Sequence, residues 1–166
     1  TDELWHFWQQ CGFVLVRMGS HREASSGCFT AMALLPVSKA GHQLCEQAQL
    51  RLKRDARVLS AWNGEKIPVD DGWEATLNND DWLELAGFAF AHRAFSTSVA
   101  ALTRLLSAVD MPLPTLRGKM EGNTHDFGQK ALLAKLREEI AHALERLDYP
   151  RSRQLKADIL QWQFFQ

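Results

Sequence analysis

The chain is 166 residues long, 46% of them hydrophobic, with 19 Lys and Arg against 20 Asp and Glu for a formal net charge of -1. That length can bury a sizeable core, most naturally one compact domain plus an appendage, and the near-zero net charge argues neither for nor against a polyanionic partner. No apolar run approaches the roughly twenty residues that cross a bilayer as a helix, the polar start TDEL is not a secretory signal, and three cysteines without a CxxC pair point to buried free thiols in a reducing compartment rather than to a disulfide framework.

In chain order, Thr1-Asp2-Glu3 supplies an N-cap and early acids for a helix that carries Leu4, Trp5, Phe7 and Trp8 and ends near Gly12. Residues 13–16 (FVLV) and 28–35 (CFTAMALL), the second closed by Pro36, are apolar runs rich in β-branched and aromatic residues, which predicts two strands joined by a polar loop. Most positions in both runs are apolar, so burial on both faces, and therefore further packing layers, is expected. One helix and two strands cannot supply those layers. The segment is thus expected to be the end of a larger domain, with an exposed sheet edge that offers a route to dimers.

The predicted loop gathers Arg17, His21, Arg22 and Glu23. Such a set either supplies a general base, a phosphate clamp and an orienting carboxylate, or forms exposed ion pairs of little consequence. A short linker centred on Pro36-Val37-Ser38 follows, and the helices beyond it are expected to pack directly on the strand pair.

From about Lys39 to Trp62, Leu44, Ala48, Leu52, Ala56, Leu59 and Trp62 recur at spacings of three and four, which marks one helix stopped by Asn63-Gly64. Asn78 to Asp81 can cap a helix that is apolar nearly all round, and Ser96 or Thr97 the next, which ends before Pro112 and Pro114. Residues 116–123 read as a short helical turn or loop. Two more helices are predicted, from Asp126 to Leu147 and from Arg151 to Phe164. The six tryptophans fall mostly on apolar stripes, with Trp73 the one expected at the surface, and the histidines show no metal-ligand spacing.

Charge is unevenly spread. Residues 37–63 carry five cations against two acids, a net of +3, and residues 65–84 carry one cation against seven acids, a net of -6. This predicts a dipolar tail that a polyanion could approach from one side only. Arg51, Arg54 and Arg57 lie off the apolar stripe of the basic helix, either as a solvated face or as a phosphate-binding face.

Two separated blocks carry a family resemblance. Residues 3–5 (ELW), 7–8 (FW), 11–19 (CGFVLVRMG), 21–28 (HREASSGC) and 30–36 (TAMALLP) resemble the end of a GNAT-type acetyltransferase domain, and with residues 80–93 (DDWLELAGFAFAHR) they resemble the C-terminal part of the bacterial tRNA(Met) cytidine acetyltransferases. The resemblance implies an enzyme that uses acetyl-CoA and ATP to form N4-acetylcytidine at the wobble position of elongator tRNA(Met), acting in the cytoplasm. It implies that residues 1–36 are the end of the GNAT domain and residues 37–166 a helical tRNA-binding domain, packed against the remainder of the same polypeptide. Glu3 and Gln10 would lie at the acetyl-CoA site, although the related enzymes place a basic residue where this chain has Gln10, which weakens a CoA-phosphate role there. Catalytic residues are not assigned. Neither a GxxxxGK[ST] loop nor a Gly-rich turn opening a helix is found, so residues 1–166 alone are expected to be inactive.

The expected fold is mainly α: a helical bundle preceded by one helix and the two-stranded remnant of a GNAT sheet. The expected RNA contacts are Arg17, His21, Arg22, Arg51, Arg54, Arg57, Arg93, Arg117, Lys119, Arg151 and Arg153. The competing expectation is a helical docking or dimerisation module without direct RNA contact. Salt separates the two, since phosphate contacts weaken with ionic strength and apolar docking does not.

Overall fold

The computed structural model describes residues 2–123 and 128–163. The fold is mainly α with one short antiparallel sheet, in the order α1 (Asp2–Gln10), β1 (Val14–Arg22), β2 (Phe29–Leu34), α2 (Lys39–Asn63), α3 (Asn79–Phe90), α4 (Val99–Ala108), α5 (Pro114–Met120), α6 (Gln129–Leu147) and α7 (Tyr149–Gln163). The chain divides into two compact units, Thr1–Glu74 and Ala75–Gln166. The first groups α2 with the strand pair, whereas the sequence pattern groups it with the later helices. The expected caps and ends at Thr1, Asp126 and Phe164 lie outside the described residues.

In the first unit α1 closes on Gly12 at φ 85°, a left-handed conformation that suits a residue without Cβ. The Trp8 ring meets Phe13 edge to face at 4.8 Å. Strand β1 is more than twice as long as expected, because its polar half finds main-chain partners: Arg17 pairs with Met32, Met18 with Ala31 and Arg22 with Phe29. Periodicity of apolar residues could not show this, since the pairing uses backbone groups of polar residues. Gly19 lets the strands close up, as a Cβ there would collide with Thr30 Oγ1 and stand 3.2 Å from the Thr30 carbonyl.

Leu15 of β1, Leu52 of α2 and Ile67 form the buried cluster of this unit, with Trp5, Met18, Leu59 and Val69 packed around it. The expectation that both strands are buried on both faces is corrected: Thr30, Ala31 and Met32 of β2 are exposed, Met32 by 50%. Helix α2 covers β1, and no third strand joins the sheet among the described residues. Ser38 Oγ caps α2 by accepting from Gly41 N at 3.0 Å, and Gly64 at φ 69° ends it where the sequence predicts. The predicted apolar stripe holds in its middle, at Leu52 and Ala56, while Leu44 and Trp62 at its two ends are exposed.

In the second unit α3 opens with a reciprocal capping box: Asp81 N donates to Asn78 Oδ1 at 3.0 Å and Asn78 N donates to Asp81 Oδ2 at 2.9 Å. The core comes from Leu85 and Phe88 of α3, Leu102 and Leu105 of α4, Leu116 of α5, and Leu136, Ile140 and Leu144 of α6, all fully buried. Helix α3 packs on α4, α6 and α7, and α5 packs on α6.

Several local expectations are corrected here. Ser96 and Thr97 do not cap α4; its N-cap is Ser98, whose hydroxyl donates instead to Ala94 O at 3.1 Å. Residues 114–120 are a helix proper with Pro114 in its first turn, where a missing N–H costs nothing. Its start is held from α6, because the Glu139 carboxylate accepts from Thr115 N at 3.0 Å and from Leu116 N at 2.7 Å. Helix α7 begins at Tyr149, one residue after α6 ends, with Asp148 Oδ1 accepting from Arg151 N at 3.0 Å. Trp82 is in the core, but Trp162 is 76% exposed and Trp73 is half-buried. Cys45 is buried as expected, whereas Cys11 and Cys28 are exposed; all three are free thiols.

Candidate nucleic-acid interface

Eleven basic or histidine positions and two α1 residues are the sequence-based candidates for function. On α1, Glu3 and Gln10 are both exposed, and seven residues apart they share one helical face. Gln10 Nε2 lies 3.0 Å from His6 Nε2. A CoA pyrophosphate asks for cations or a row of unpaired backbone N–H groups, and these two side chains do not provide either, so they do not fit that group by themselves.

Arg17, His21 and Arg22 lie on β1 and not in the loop, which is a correction that follows from the longer strand. Arg22 donates to Gly27 O at 2.7 Å and to Glu65 Oε2 at 3.1 Å, with its guanidinium 4.6 Å from the Phe29 ring centre. Glu23 instead accepts from Ser26 Oγ at 3.1 Å, inside the turn. The acid and the arginine thus each have partners of their own. Arg17 is exposed and borders a cleft of about 200 Å³ with Gly19, Thr30, Ala31 and Met32.

The basic face of α2 is countered from within the same unit. Segment 65–74, without helix or strand, returns along the helix and places three acids on it: Asp70 Oδ2 is 3.6 Å from Lys53 Nζ, Glu74 Oε2 is 3.2 Å from Arg54 Nε, and Asp71 Oδ2 is 2.6 Å from Arg57 Nη2 and 2.8 Å from its Nε. Gly72 N donates to Lys53 O at 3.0 Å, and a Cβ on Gly72 would stand 3.3 Å from Lys53 Cβ, so the backbone itself is seated on the helix. The expected dipolar tail with an open basic side is corrected accordingly. Arg54 is buried, Arg51 half-buried and Arg57 exposed. Each pair leaves at least one partner wet, so each is a weak contact that salt screens.

The Arg57 guanidinium beside Asp71, aided by the Trp73 N–H that donates to Asp71 Oδ1 at 3.0 Å, holds the Asp71 carboxyl below the usual carboxylate range. A depressed folded-state value means that the pair contributes fully above the unfolded-state pKa and is lost as pH falls through the folded one. Arg57→Gln is expected to return the Asp71 midpoint toward that of an ordinary aspartate, about 3.9, in an NMR carboxyl titration. An unchanged midpoint would remove Arg57 as the cause.

In the second unit the cations meet different partners. Arg93 is clamped by Glu84 at 2.8 Å, Ser98 Oγ at 3.2 Å and Thr97 O at 3.1 Å, which ties the turn after α3. Lys119 lies 5.8 Å from the Phe95 ring centre. Arg151 lies 4.5 Å from that of Trp82 and donates to Asn79 Oδ1 at 2.6 Å. Arg153 lies 5.7 Å from that of Tyr149, and Arg117 is exposed. Lys156, which the sequence pattern does not single out, lies 5.5 Å from the Phe90 ring centre. Among the described residues Arg117, Lys119, Arg151, Arg153 and Lys156 show no carboxylate pairing. A ring face orients a cation without neutralising it, so this set keeps a full positive charge available to a phosphate.

Two buried acids also escape the sequence pattern. Asp81 receives Arg104 Nη1 at 2.8 Å with both side chains out of water, and Glu84 is buried against Arg93. No spacing rule distinguishes them from the exposed acids nearby. No group of three metal-ligating side chains occurs among the described residues, and no described helix is long and apolar enough to cross a membrane.

A family described as a tRNA-binding domain matches residues 41–150. The chain is 56% identical to the tRNA(Met) cytidine acetyltransferase of Citrobacter koseri, over 99% of this chain and 26% of that protein. It is 54% identical to the enzyme of the same name from Salmonella typhimurium, over 94% and 25%, and 38% identical to that of Haemophilus influenzae, over 88% and 22%. The chain spans about a quarter of the length of these relatives.

Proposed function

The chain belongs to the tRNA-binding-domain family, and from that premise we propose that it is the tRNA-gripping part of an acetyltransferase acting on elongator tRNA(Met). The observation that carries the reading is the similarity over nearly the whole chain to tRNA(Met) cytidine acetyltransferases, with the domain match covering α2 to α6 and reaching the start of α7. In this reading the whole enzyme uses acetyl-CoA and ATP to form N4-acetylcytidine at the wobble position, in the cytoplasm. Those cofactors are handled mainly by the rest of the polypeptide, and α1 with the strand pair is the end of the acetyl-CoA-binding fold. Residues 1–166 alone are inactive in acetyl transfer.

Within the chain, the cations without a carboxylate partner are the first choice for phosphate contact: Arg117, Lys119, Arg151, Arg153 and Lys156. Phosphate contacts position an RNA and carry no sequence information, which suits a domain that presents one anticodon to a separate active centre.

The test is binding of an elongator tRNA(Met) transcript across a salt series, comparing the chain with its Arg117→Gln, Arg153→Gln, Lys156→Gln variant. These three substitutions leave the core untouched. Binding is expected to weaken by about tenfold or more, with the log–log salt slope shallower by about 0.7–0.9 for each phosphate that is no longer engaged. No binding by the unaltered chain at low salt would assign it to packing, the docking-module alternative.

A further inference from the structure

We propose that the α2 face bearing Lys53, Arg54 and Arg57 is a second phosphate track, which segment 70–74 of the same chain occupies as an internal polyanion until RNA displaces it. The inference rests on the tRNA-binding reading and deepens it by adding a gated site to the open one on α5 and α7.

Three observations carry it. The first is chemical: Arg57 turns both Nε and Nη2 onto one oxygen of Asp71, Oδ2, as it can onto a phosphate oxygen, and Lys53 and Arg54 face carboxylate oxygens of Asp70 and Glu74. The acids thus stand where phosphate oxygens would. The second is exposure. The Asp70 side chain is 93% exposed and that of Glu74 is 66% exposed, so these carboxylates are wet and exchangeable rather than locked in a core.

The third is how the segment is attached. Its near end is anchored by Ile67, buried in the Leu15–Leu52 cluster, with Val69 packed against that cluster. Beyond Val69 the one half-buried side chain of the segment is Trp73. Residues 70–74 meet α2 through the three ion pairs and through the Gly72 N–H on Lys53 O. A polyanion that supplies several phosphates at once replaces all three acids, while Ile67 keeps the segment close for return. Binding by α2 would then be selective for polyanions over single anions, because one phosphate gains too little to release the whole segment.

The experiment compares the chain with its Asp70→Asn, Asp71→Asn, Glu74→Gln variant for binding of the elongator tRNA(Met) transcript across salt. The variant is expected to bind about tenfold tighter near 0.1 M salt, with a slope steeper by about 0.7–0.9 for each α2 cation engaged. An Asp110→Asn, Glu138→Gln, Glu145→Gln variant changes net charge equally and is expected to leave the slope where it was. A mutation-free readout is hydrogen exchange at Gly72: its amide should lose protection when the unaltered chain is saturated with tRNA. Equal tightening by both variants would mean bulk charge and overturn the proposal, as would unchanged binding by the first variant or retained Gly72 protection. If neither the unaltered chain nor the variants bind, the tRNA reading itself falls and this inference with it. A chain that binds as tightly as its Asp70/Asp71/Glu74 variant sinks the gate alone.

Discussion

Arg104→Met is expected to destabilise the helical unit by about 3–5 kcal/mol, measured as the shift in urea midpoint at constant m-value. Arg104 is fully buried on α4, and its Nη1 meets Asp81 Oδ1 at 2.8 Å. The substitution keeps the apolar length of the side chain and removes the guanidinium that faces Asp81, so a carboxylate stays inside the protein without that cation. Asp81 cannot move away to water, because its other oxygen accepts from Asn78 N at 2.9 Å as half of the capping box that starts α3. A domain of this size has about 5–15 kcal/mol in all, so the single change removes a large share. Adding Asp81→Asn to Arg104→Met should recover part of the loss, since an asparagine oxygen still accepts from Asn78 N and carries no charge. A loss below about 1 kcal/mol for Arg104→Met would show that the pair behaves as a surface one.

Phe88→Ala is expected to cost about 3–5 kcal/mol in the same measurement. The Phe88 ring is fully buried, meets Phe95 edge to face at 6.0 Å, and lies 5.9 Å from the Arg137 guanidinium. Truncation leaves a cavity lined from α3 and α6, and it also strips the ring face from Arg137. Among the described residues the buried Arg137 Nε has no hydrogen-bond partner, and the Phe88 ring lies beside that guanidinium. Phe88→Leu retains much of the volume but no π face, and its smaller loss would divide the packing contribution from the cation contribution. A cost for Phe88→Ala no greater than that of Phe88→Leu would deny the cavity argument.

The features legible in the sequence are those written locally. Gly64 closes α2 and Asn78 caps α3 because a left-handed turn and a side-chain acceptor are properties of single positions. The helical stripes are legible in Leu52 and Ala56, and in Leu136, Ile140 and Leu144, since their spacing is the helix period itself. What escapes is decided by partners distant in sequence. Met18 to Arg22 are strand because β2 lies alongside, and the same residues read alone are polar loop. Asp81 and Glu84 read only as part of an acidic run, and it is Arg104 and Arg93 that make burying them tolerable. The candidate interface divides in the same way. Arg54 and Arg57 are recognisable as off-stripe cations, but whether a cation meets a carboxylate or a ring is set by the return of segment 70–74 in one unit and by the packing of α7 on α3 in the other.

The carboxylate that starts α5 has a consequence for the order in which the chain is made. Seven residues are too few to persist as a helix in water, and the first turn of α5 is held by Glu139, 23 residues beyond Leu116. A polypeptide leaving the ribosome presents residues 114–120 well before that acid has been added. Until α6 is about half synthesised, the segment has no means of closing its first turn, and it becomes a helix only when the chain folds back on what came later.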